Sequence, residues 1–296
     1  MVIERALEKL KQANAGSPAA APKTERPLAR RASDAQPEIR AAARAPINPS
    51  APRPSYIRLE CDRSQAIQHR ILLPGTPLAA DGRVLAAYRI LRTRLLNLIS
   101  LRNWTVLAVT SPGAGEGKSV TACNLALNFA REGSRSVYLI DLDMRHPTIC
   151  RYLGAQPPHT VINYFSGECD AHSVFFSIGA ENLAIAGNLV NSDLASEMLA
   201  SDRLEQLFGY IKSVAPNPLI IVDLPPTLVT DEALMIAPRV DATVLVVADG
   251  LTRRDSLVRA RELLAEYPLA GVILNKSTES VGSSGEYYGY AYGAKT

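Results

Sequence analysis

A glycine-rich stretch, Ser111–Ser119, holds residue types that bind phosphate, in the order SPGAGEGKS. Its glycines let backbone amides converge on an anion, and the start of the following helix adds its dipole. At this spacing we expect Lys118 to reach the β- and γ-phosphates of a nucleotide and the Ser119 hydroxyl to bind Mg²⁺. The strict motif has glycine in place of Pro112, but the apolar run before the stretch and the helical pattern after it supply the required context. The candidate nucleotide-binding residues in this stretch are Gly113, Ala114, Gly115, Glu116, Gly117, Lys118, Ser119 and Val120.

Three aspartates follow apolar runs elsewhere in the chain. Asp141 and Asp143 end the stretch VYLIDLD, and Asp223 ends PLIIVD. Because ligands of open α/β sheets bind at the carboxyl ends of strands, we expect all three near the phosphates, with Asp223 holding Mg²⁺ directly or through water. Residues two apart on a regular strand face the same side, which would direct both Asp141 and Asp143 towards the phosphates. The alternative for each of these two is a solvated loop acid.

Short apolar strands alternating with helices must position these residues. The predicted strands are Val106–Val109, Val137–Ile140, Leu183–Ala186, Leu219–Val222, Thr243–Ala248 and Gly271–Leu274. The predicted helices cover about 83–100, 118–132, 194–214, 231–237 and 253–266. This alternation indicates an α/β fold with a doubly wound, mainly parallel sheet around a P-loop NTPase core. We expect Cys123 and Asn124, on the helix after the phosphate loop, to serve packing.

Composition divides the chain into parts. Residues 1–13 show a short amphipathic helical pattern that either frays or docks on something. Residues 14–55 contain eight of the 20 prolines and little to bury, which predicts a disordered linker whose basic excess would also suit an anionic membrane surface. The P-loop domain is expected over 83–276 and a flexible tyrosine-rich tail over 277–296, while 56–82 stay unassigned.

Composition and charge argue against several classes of protein. The chain has 296 residues with 32 basic and 29 acidic side chains, and the net charge of +3 argues against a dedicated nucleic-acid binder. No apolar run approaches the roughly 18 residues of a membrane span, and the first residues lack the apolar core of a secretory signal. The four cysteines are scattered without a CxxC pair, which argues against a disulfide framework or a zinc site. The expected location of the protein is therefore the reducing cytoplasm.

The end of the chain carries a cluster of phenols. Four of the 11 tyrosines lie in the last ten residues, at Tyr287, Tyr288, Tyr290 and Tyr292. Their neighbours are Gly, Glu, Ala and Lys rather than the apolar residues that would accompany buried aromatics. An accessible cluster of this kind suits a substrate for phosphorylation, and a tail with no role is the alternative.

Together these motifs resemble those of bacterial protein-tyrosine kinases from exopolysaccharide and capsule loci. The resemblance rests on the Walker A stretch at 111–119, the second acidic motif VYLIDLDMRHP at 137–147 and Walker B at 219–226. It spans about 83–292 and includes NSDLASEML and VDATVLVVADG. The tyrosine cluster is a further feature of that family.

The alternative class is the partitioning and septum-positioning ATPases, which share the fold and cycle on and off a membrane or DNA. Those proteins carry a signature lysine near the start of the phosphate loop, whereas Ser111–Gly115 contains none. This difference favours the kinase.

The resemblance implies an ATP- and Mg²⁺-dependent autokinase acting on the tyrosine cluster. It implies that Lys118 neutralises phosphate, that Asp141 orients the tyrosine hydroxyl and accepts its proton, and that Asp143 assists at the metal. The implied metal ligands are Ser119, Asp141 and Asp223. Asn275, at the end of the last strand, is either an adenine-reading residue or a simple strand-end cap.

The resemblance also implies partners and a location. The activator would be a membrane-embedded polysaccharide chain-length regulator, and a neighbouring subunit would supply the tyrosines. Further partners would be other proteins phosphorylated on tyrosine and a phosphotyrosine phosphatase. No nucleic acid is expected as a partner. The protein would be cytoplasmic and recruited to the inner face of the plasma membrane, where it would regulate polymerisation or export of a polysaccharide.

Two shorter matches concern the subgroup and the assembly. VIERALEKL, near the start of the chain, is similar to stand-alone kinases that include the exosortase-associated group. Family members often carry E-x2-R-x2-R before the core for ring assembly, and here Arg89 and Arg92 match while Ala86 replaces the glutamate. This partial match leaves undecided whether the protein forms an octameric ring.

Overall fold

The structure, a computed structural model, describes residues 53–76, 82–180 and 182–277. The predicted helix at 1–13, the linker up to residue 52 and the tail from residue 278, with all four clustered tyrosines, lie outside the described residues. None of the helices within the described ranges combines the length and the apolar character that a membrane crossing needs.

A mainly parallel sheet organises the described part of the chain. Its strands are β1 (Ile57–Arg58), β2 (Val106–Thr110), β3 (Ser136–Asp141), β4 (Phe176–Ser177), β5 (Leu183–Ala186), β6 (Pro218–Asp223), β7 (Ala242–Ala248) and β8 (Leu269–Asn275). Their order across the sheet is β1-β4-β5-β3-β6-β2-β7-β8. The pairs from β5 to β8 are all parallel, and β4 joins the edge antiparallel to β5. The predicted fold class is confirmed.

Helices connect these strands. They are α1 (Arg63–Gln68), α2 (Gly82–Arg102), α3 (Lys118–Glu132), α4 (Ile149–Leu153), α5 (Val161–Phe165), α6 (Ala195–Ala200), α7 (Arg203–Val214), α8 (Glu232–Ile236) and α9 (Arg254–Leu263), with a short 3₁₀ turn at Ala237–Arg239. The α3 helix is bounded by two glycines with left-handed backbone, Gly117 (φ 94°) and Gly133 (φ 84°). Such glycines end helices without the steric cost that a Cβ would impose.

Both faces of the sheet are covered, as the apolar character of its strands requires. Leu107 and Val109 face α2 and α3 in one buried cluster, whereas Val106 and Ala108 face α7 in another. This alternation follows from the two-residue period of a strand. A sheet that is buried on both faces explains why its strands are continuous apolar runs.

The segment 53–76, mostly unassigned from the sequence, packs on this core. Ile71 and Leu72 are fully buried, and the Leu72 amide donates to Asn124 Oδ1 at 2.8 Å. Asn124 Nδ2 in turn donates to the carbonyl of Arg70 at 3.0 Å. Asn124 therefore does more than fill space, because it ties the segment to α3. The packed region begins near Arg53, whose guanidinium bonds to Ser136 Oγ, rather than at residue 83.

The predicted helix over 194–214 differs from the structure. The stretch 194–214 is two helices, α6 and α7, because Ser201 is extended (φ −73°, ψ 160°) and its hydroxyl donates to the carbonyl of Met198. Hydroxyl side chains compete in this way with the hydrogen bonds of a helix. In α2, the guanidinium of the motif residue Arg92 donates to the carbonyl of Asn128 on α3 at 3.2 Å.

Candidate active site

Adjacent strands bring the phosphate loop and the acidic motifs to one edge of the sheet. β6 lies between β2 and β3, with Asp223 in register with Val109 on one side and with Asp141 on the other. The loop leaves β2 after Thr110 and enters α3 at Lys118. Parallel strands end at the same edge, so the motifs converge where the sequence predicted.

Contacts from other parts of the chain fix the shape of the phosphate loop. The amide of Thr227 donates to the carbonyl of Ser111 at 2.9 Å. The buried Glu116 carboxylate accepts from the Gly113 amide at 3.0 Å and from the Thr252 hydroxyl at 2.6 Å. Contacts within the chain therefore fix the shape of the loop. At its exposed tip lie Ala114 and Gly115, whereas Val120 packs against the core.

Lys118 lies among the carboxylates of the acidic motifs. Its Nζ is 2.7 Å from Asp143 Oδ2 and 3.6 Å from Asp223 Oδ2, and it donates to Ser119 Oγ at 3.1 Å. Burial disfavours the charged ammonium, but the carboxylates of Asp223 and Asp143 outweigh it and raise the pKa of Lys118. This lysine stays protonated, as a phosphate-binding cation must be.

Asp141 and Asp143 are not arranged as a strand would arrange them. β3 ends at Asp141, so Asp143 lies in the following loop, and its amide donates back to Asp141 Oδ1 at 3.2 Å. Asp141 Oδ2 accepts from the amides of Thr148 and Ile149 at 3.0 and 3.1 Å. Because β3 ends at Asp141, strand alternation does not apply to Asp143, although Asp143 is the one of the two that contacts Lys118. That both carboxylates serve the phosphates stays a prediction. Asp141 holds the loop, and burial together with the charge of Asp223 raises its pKa to about 8.

The residues beside Lys118 fit a magnesium ion. Both carboxylate oxygens of Asp223 are buried, and no hydrogen bond of ordinary geometry from the described residues reaches them. Burial raises the pKa of Asp223 to about 6, although Lys118 and Ser119 favour its ionised form. An orphaned buried carboxylate beside a hydroxyl matches Mg²⁺, which takes few protein ligands and completes its shell with phosphate and water. Asp223 and Ser119 are the pair that fits, whereas the oxygens of Asp141 are committed to backbone amides.

Two residues at the end of β8 contact the phosphate loop. Asn275 Nδ2 donates to the carbonyl of Glu116 at 2.9 Å, and a Cβ on Gly117 would collide with the same amide. Lys276 Nζ donates to the carbonyl of Gly115 at 2.6 Å. Asn275 is therefore a contact of the phosphate loop. Sequence reasoning assigned no role to Lys276 or Thr252. Lys276 directly follows the last strand, and Thr252 lies four residues beyond the strand that ends at Ala248.

Comparison with known proteins places this fold and site in a family. No protein-family model matches the chain. Tyrosine-protein kinase YwqD of Bacillus subtilis is 29% identical over 243 residues, which are 78% of this chain and 96% of YwqD. Tyrosine-protein kinase CpsD of Streptococcus agalactiae is 30% identical over 188 residues, which are 62% of this chain and 81% of CpsD. Among solved structures, the kinase domain of VpsO matches with a TM-score of 0.59 at 26% identity, over 68% of this chain and 100% of that domain.

The parallel sheet with its phosphate loop and strand-end carboxylates defines an α/β protein of the P-loop class. The chain belongs to the bacterial tyrosine-protein kinases, and it is a nucleotide-dependent transferase that acts on protein tyrosine. The assignment to the kinases rather than to the partitioning ATPases is thus confirmed, while the exosortase-associated subgroup stays a prediction.

Proposed function

We propose that this kinase transfers the γ-phosphoryl group of ATP to its own C-terminal tyrosines, between subunits, at the edge formed by Lys118 and the acidic motifs. The acceptors are Tyr287, Tyr288, Tyr290 and Tyr292. The main support is the position of the Lys118 ammonium, which lies 2.7 Å from Asp143 and 3.6 Å from Asp223, one carboxylate from each acidic motif. The chain that carries this site belongs to the tyrosine kinase family. The glycine-spaced phenols of the same chain are the available acceptors.

Each residue has a proposed task in the transfer. The backbone amides of 113–118 and the Lys118 ammonium hold the phosphates of ATP, and Ser119 with Asp223 holds Mg²⁺. The metal neutralises charge that develops on the phosphoryl oxygens. Asp143, beside Lys118, assists at the metal. Positioning and neutralisation of charge account for most of the catalysis in reactions of this class.

Asp141 is the proposed proton acceptor. A carboxyl group with a pKa of about 8 is matched to a base that works near neutral pH. Its oxygens now accept backbone amides of the loop after β3, so that loop must shift for a tyrosine hydroxyl to reach it. The proton passes from the phenol to Asp141 as the phenol oxygen bonds to phosphorus and the bond from phosphorus to the ADP oxygen breaks.

Phosphorylation would also act as a switch on assembly. Each phosphate adds about −1.5 to −2 charges at pH 7. Several phosphates on one tail would repel each other and the carboxylates of the neighbouring site, so the modified tail would leave it and loosen the oligomer. Through this cycle the kinase would regulate polysaccharide polymerisation or export. A membrane-embedded chain-length regulator would activate it at the inner face of the membrane, and a phosphotyrosine phosphatase would reverse the modification.

A mixing experiment tests transfer between subunits. One chain carries Lys118→Met and keeps its tyrosines, and the other keeps Lys118 with all four clustered tyrosines changed to Phe. Incubation with Mg-ATP should place phosphate on the Lys118→Met chain. Label confined to sites outside 287–292, or an unlabelled mixture when wild type labels well, would contradict the proposal.

A further inference from the structure

A second lysine lies at the phosphate loop, outside the recognised motifs. Lys276 follows the last residue of β8, and its Nζ donates to the carbonyl of Gly115 at 2.6 Å. Gly115 is exposed at the tip of the loop, and a side chain built there would meet no atom within 4 Å. Lys276 is itself exposed. Its ammonium therefore stands at the open mouth of the loop.

The position of this ammonium is fixed by its neighbours. Lys276 has left-handed backbone (φ 59°), which is costly for a residue other than glycine and turns the chain as it leaves β8. The preceding Asn275 donates to the carbonyl of Glu116, so two successive residues bind two successive carbonyls of the loop. These two contacts fix the position of Lys276 relative to the loop.

The two lysines of the loop differ in how their charge is balanced. Lys118 lies within 4.0 Å of two carboxylates, which offset its charge. Lys276 forms no ion pair with a carboxylate of the residues that the structure describes, and a neutral carbonyl offsets only part of its charge. A fixed cation at the mouth of a phosphate-binding loop attracts an anion there.

We propose that Lys276 is a second nucleotide-binding residue, whose ammonium pairs with the phosphate chain of ATP or ADP at the tip of the loop. This inference rests on nucleotide binding at Ser111–Ser119, as proposed above. Lys276 lies at the loop tip, whereas the carboxylates that contact Lys118 mark the transfer site. It therefore strengthens nucleotide binding and leaves the transfer step unchanged.

Three variants distinguish a role of Lys276 in nucleotide binding from a purely structural contact with the loop. Lys276→Gln keeps an N–H donor for the Gly115 carbonyl but removes the charge, and Lys276→Arg keeps both. Lys212→Gln, at an exposed position on α7, is the matched control. The Kd of a fluorescent ADP analogue is measured by anisotropy at several salt concentrations, with the KM for ATP, kcat and the melting temperature of each variant.

Loss of the charge should weaken binding without slowing transfer. For Lys276→Gln we expect Kd and KM to rise about tenfold, as for loss of one charge-assisted contact, with kcat within about twofold and a shallower salt dependence of Kd. Lys276→Arg should restore Kd to within about threefold of wild type, and Lys212→Gln should change nothing.

Other results would overturn the proposal. If Lys276→Gln binds nucleotide with wild-type affinity, Lys276 only holds the loop in place. The same conclusion follows if Lys276→Gln and Lys276→Arg lose equal affinity and both have a lowered melting temperature. A fall in kcat at unchanged KM would place Lys276 in the transfer step. Failure of the wild-type protein itself to bind the ADP analogue would overturn the proposed function together with this inference.

Discussion

At the residue scale, the site sets one buried cation against three carboxylates. Lys118 pairs with Asp143 at 2.7 Å and with the fully buried Asp223 at 3.6 Å. Asp141 is also fully buried, and no ion pair to it is formed within the described residues. Burial of a carboxylate favours its neutral form, and a neighbouring carboxylate adds to this effect. Protons therefore balance part of this negative charge.

This balance predicts that the ligand-free protein loses stability as the pH rises. The pKa of Asp141 is about 8 and that of Asp223 about 6, both above the ordinary 3.8, so between pH 4 and 8 the folded chain holds protons that the unfolded chain releases. Each such proton lowers the free energy of unfolding by up to about 1.4 kcal/mol per pH unit. The melting temperature measured in EDTA should therefore fall between pH 6 and pH 8.5.

A substitution at Asp141 tests whether this residue causes the fall of the melting temperature with pH. Asp141→Asn is neutral at every pH, so its melting temperature should fall less steeply than that of wild type over the same range. Asp255→Asn, at an exposed position on α9, is the matched control and should keep the wild-type slope. A melting temperature of wild type that is flat or rises over this range would contradict the raised pKa values.

The sequence predicts much of this site but not all of it. Ser111–Ser119 and Asp223 lie where their motifs placed them, because a phosphate loop and a strand end are local features. Asp143 lies beside Lys118 at this edge of the sheet, as expected, but in the loop after β3 rather than on the strand. Lys276 and Thr252 reach the loop from positions 161 and 136 residues away, and contacts so distant leave no local pattern.

At the scale of elements, α3 joins the phosphate loop to the segment 53–76. Asn124 lies on α3 six residues beyond Lys118 and is almost fully buried. Both ends of its amide bond to the backbone, at Arg70 and Leu72. Backbone groups buried without partners are costly. This side chain therefore links the loop helix to the added segment.

Removal of the Asn124 amide should destabilise the whole domain. Asn124→Ala leaves the Leu72 amide and the Arg70 carbonyl without these partners, so we expect a loss of about 2 kcal/mol in the free energy of unfolding. Urea titration followed by circular dichroism measures it. Asn97→Ala, at an exposed position on α2, should stay within about 0.5 kcal/mol of wild type. Equal stability of the two variants would show that the segment is not held through Asn124.

The longer elements were the predictable ones. The strands of the parallel core and the helix α3 carry apolar runs or periods long enough to be recognised. The two-residue strands β1 and β4 and the short helices α4 and α5 were not predicted from the sequence, because they show no recognisable run or period. Their conformation depends on tertiary contacts, such as the backbone bond from Leu59 to Ser177.

At the scale of the whole molecule, the packed unit begins earlier than composition suggested. The Arg53 guanidinium reaches Ser136 Oγ, and Tyr56 contacts the Tyr138 hydroxyl at 3.0 Å. Limited proteolysis should therefore cut in the proline-rich stretch 14–52 and leave a stable fragment that begins near residue 53, as read by mass spectrometry. A stable fragment that begins near residue 83 would contradict this packing.

The central claim is that the Lys118 site phosphorylates the C-terminal tyrosines, and mapping of phosphotyrosine by mass spectrometry tests it most directly. Wild-type protein is incubated with Mg-ATP beside Lys118→Met, whose fold is checked by circular dichroism. We expect phosphate on Tyr287, Tyr288, Tyr290 and Tyr292 of wild type and a loss of label by at least about 100-fold in Lys118→Met, since the phosphate-neutralising cation is gone. Retained label in folded Lys118→Met, or ATP hydrolysis by wild type without phosphotyrosine in 287–292, would contradict the account.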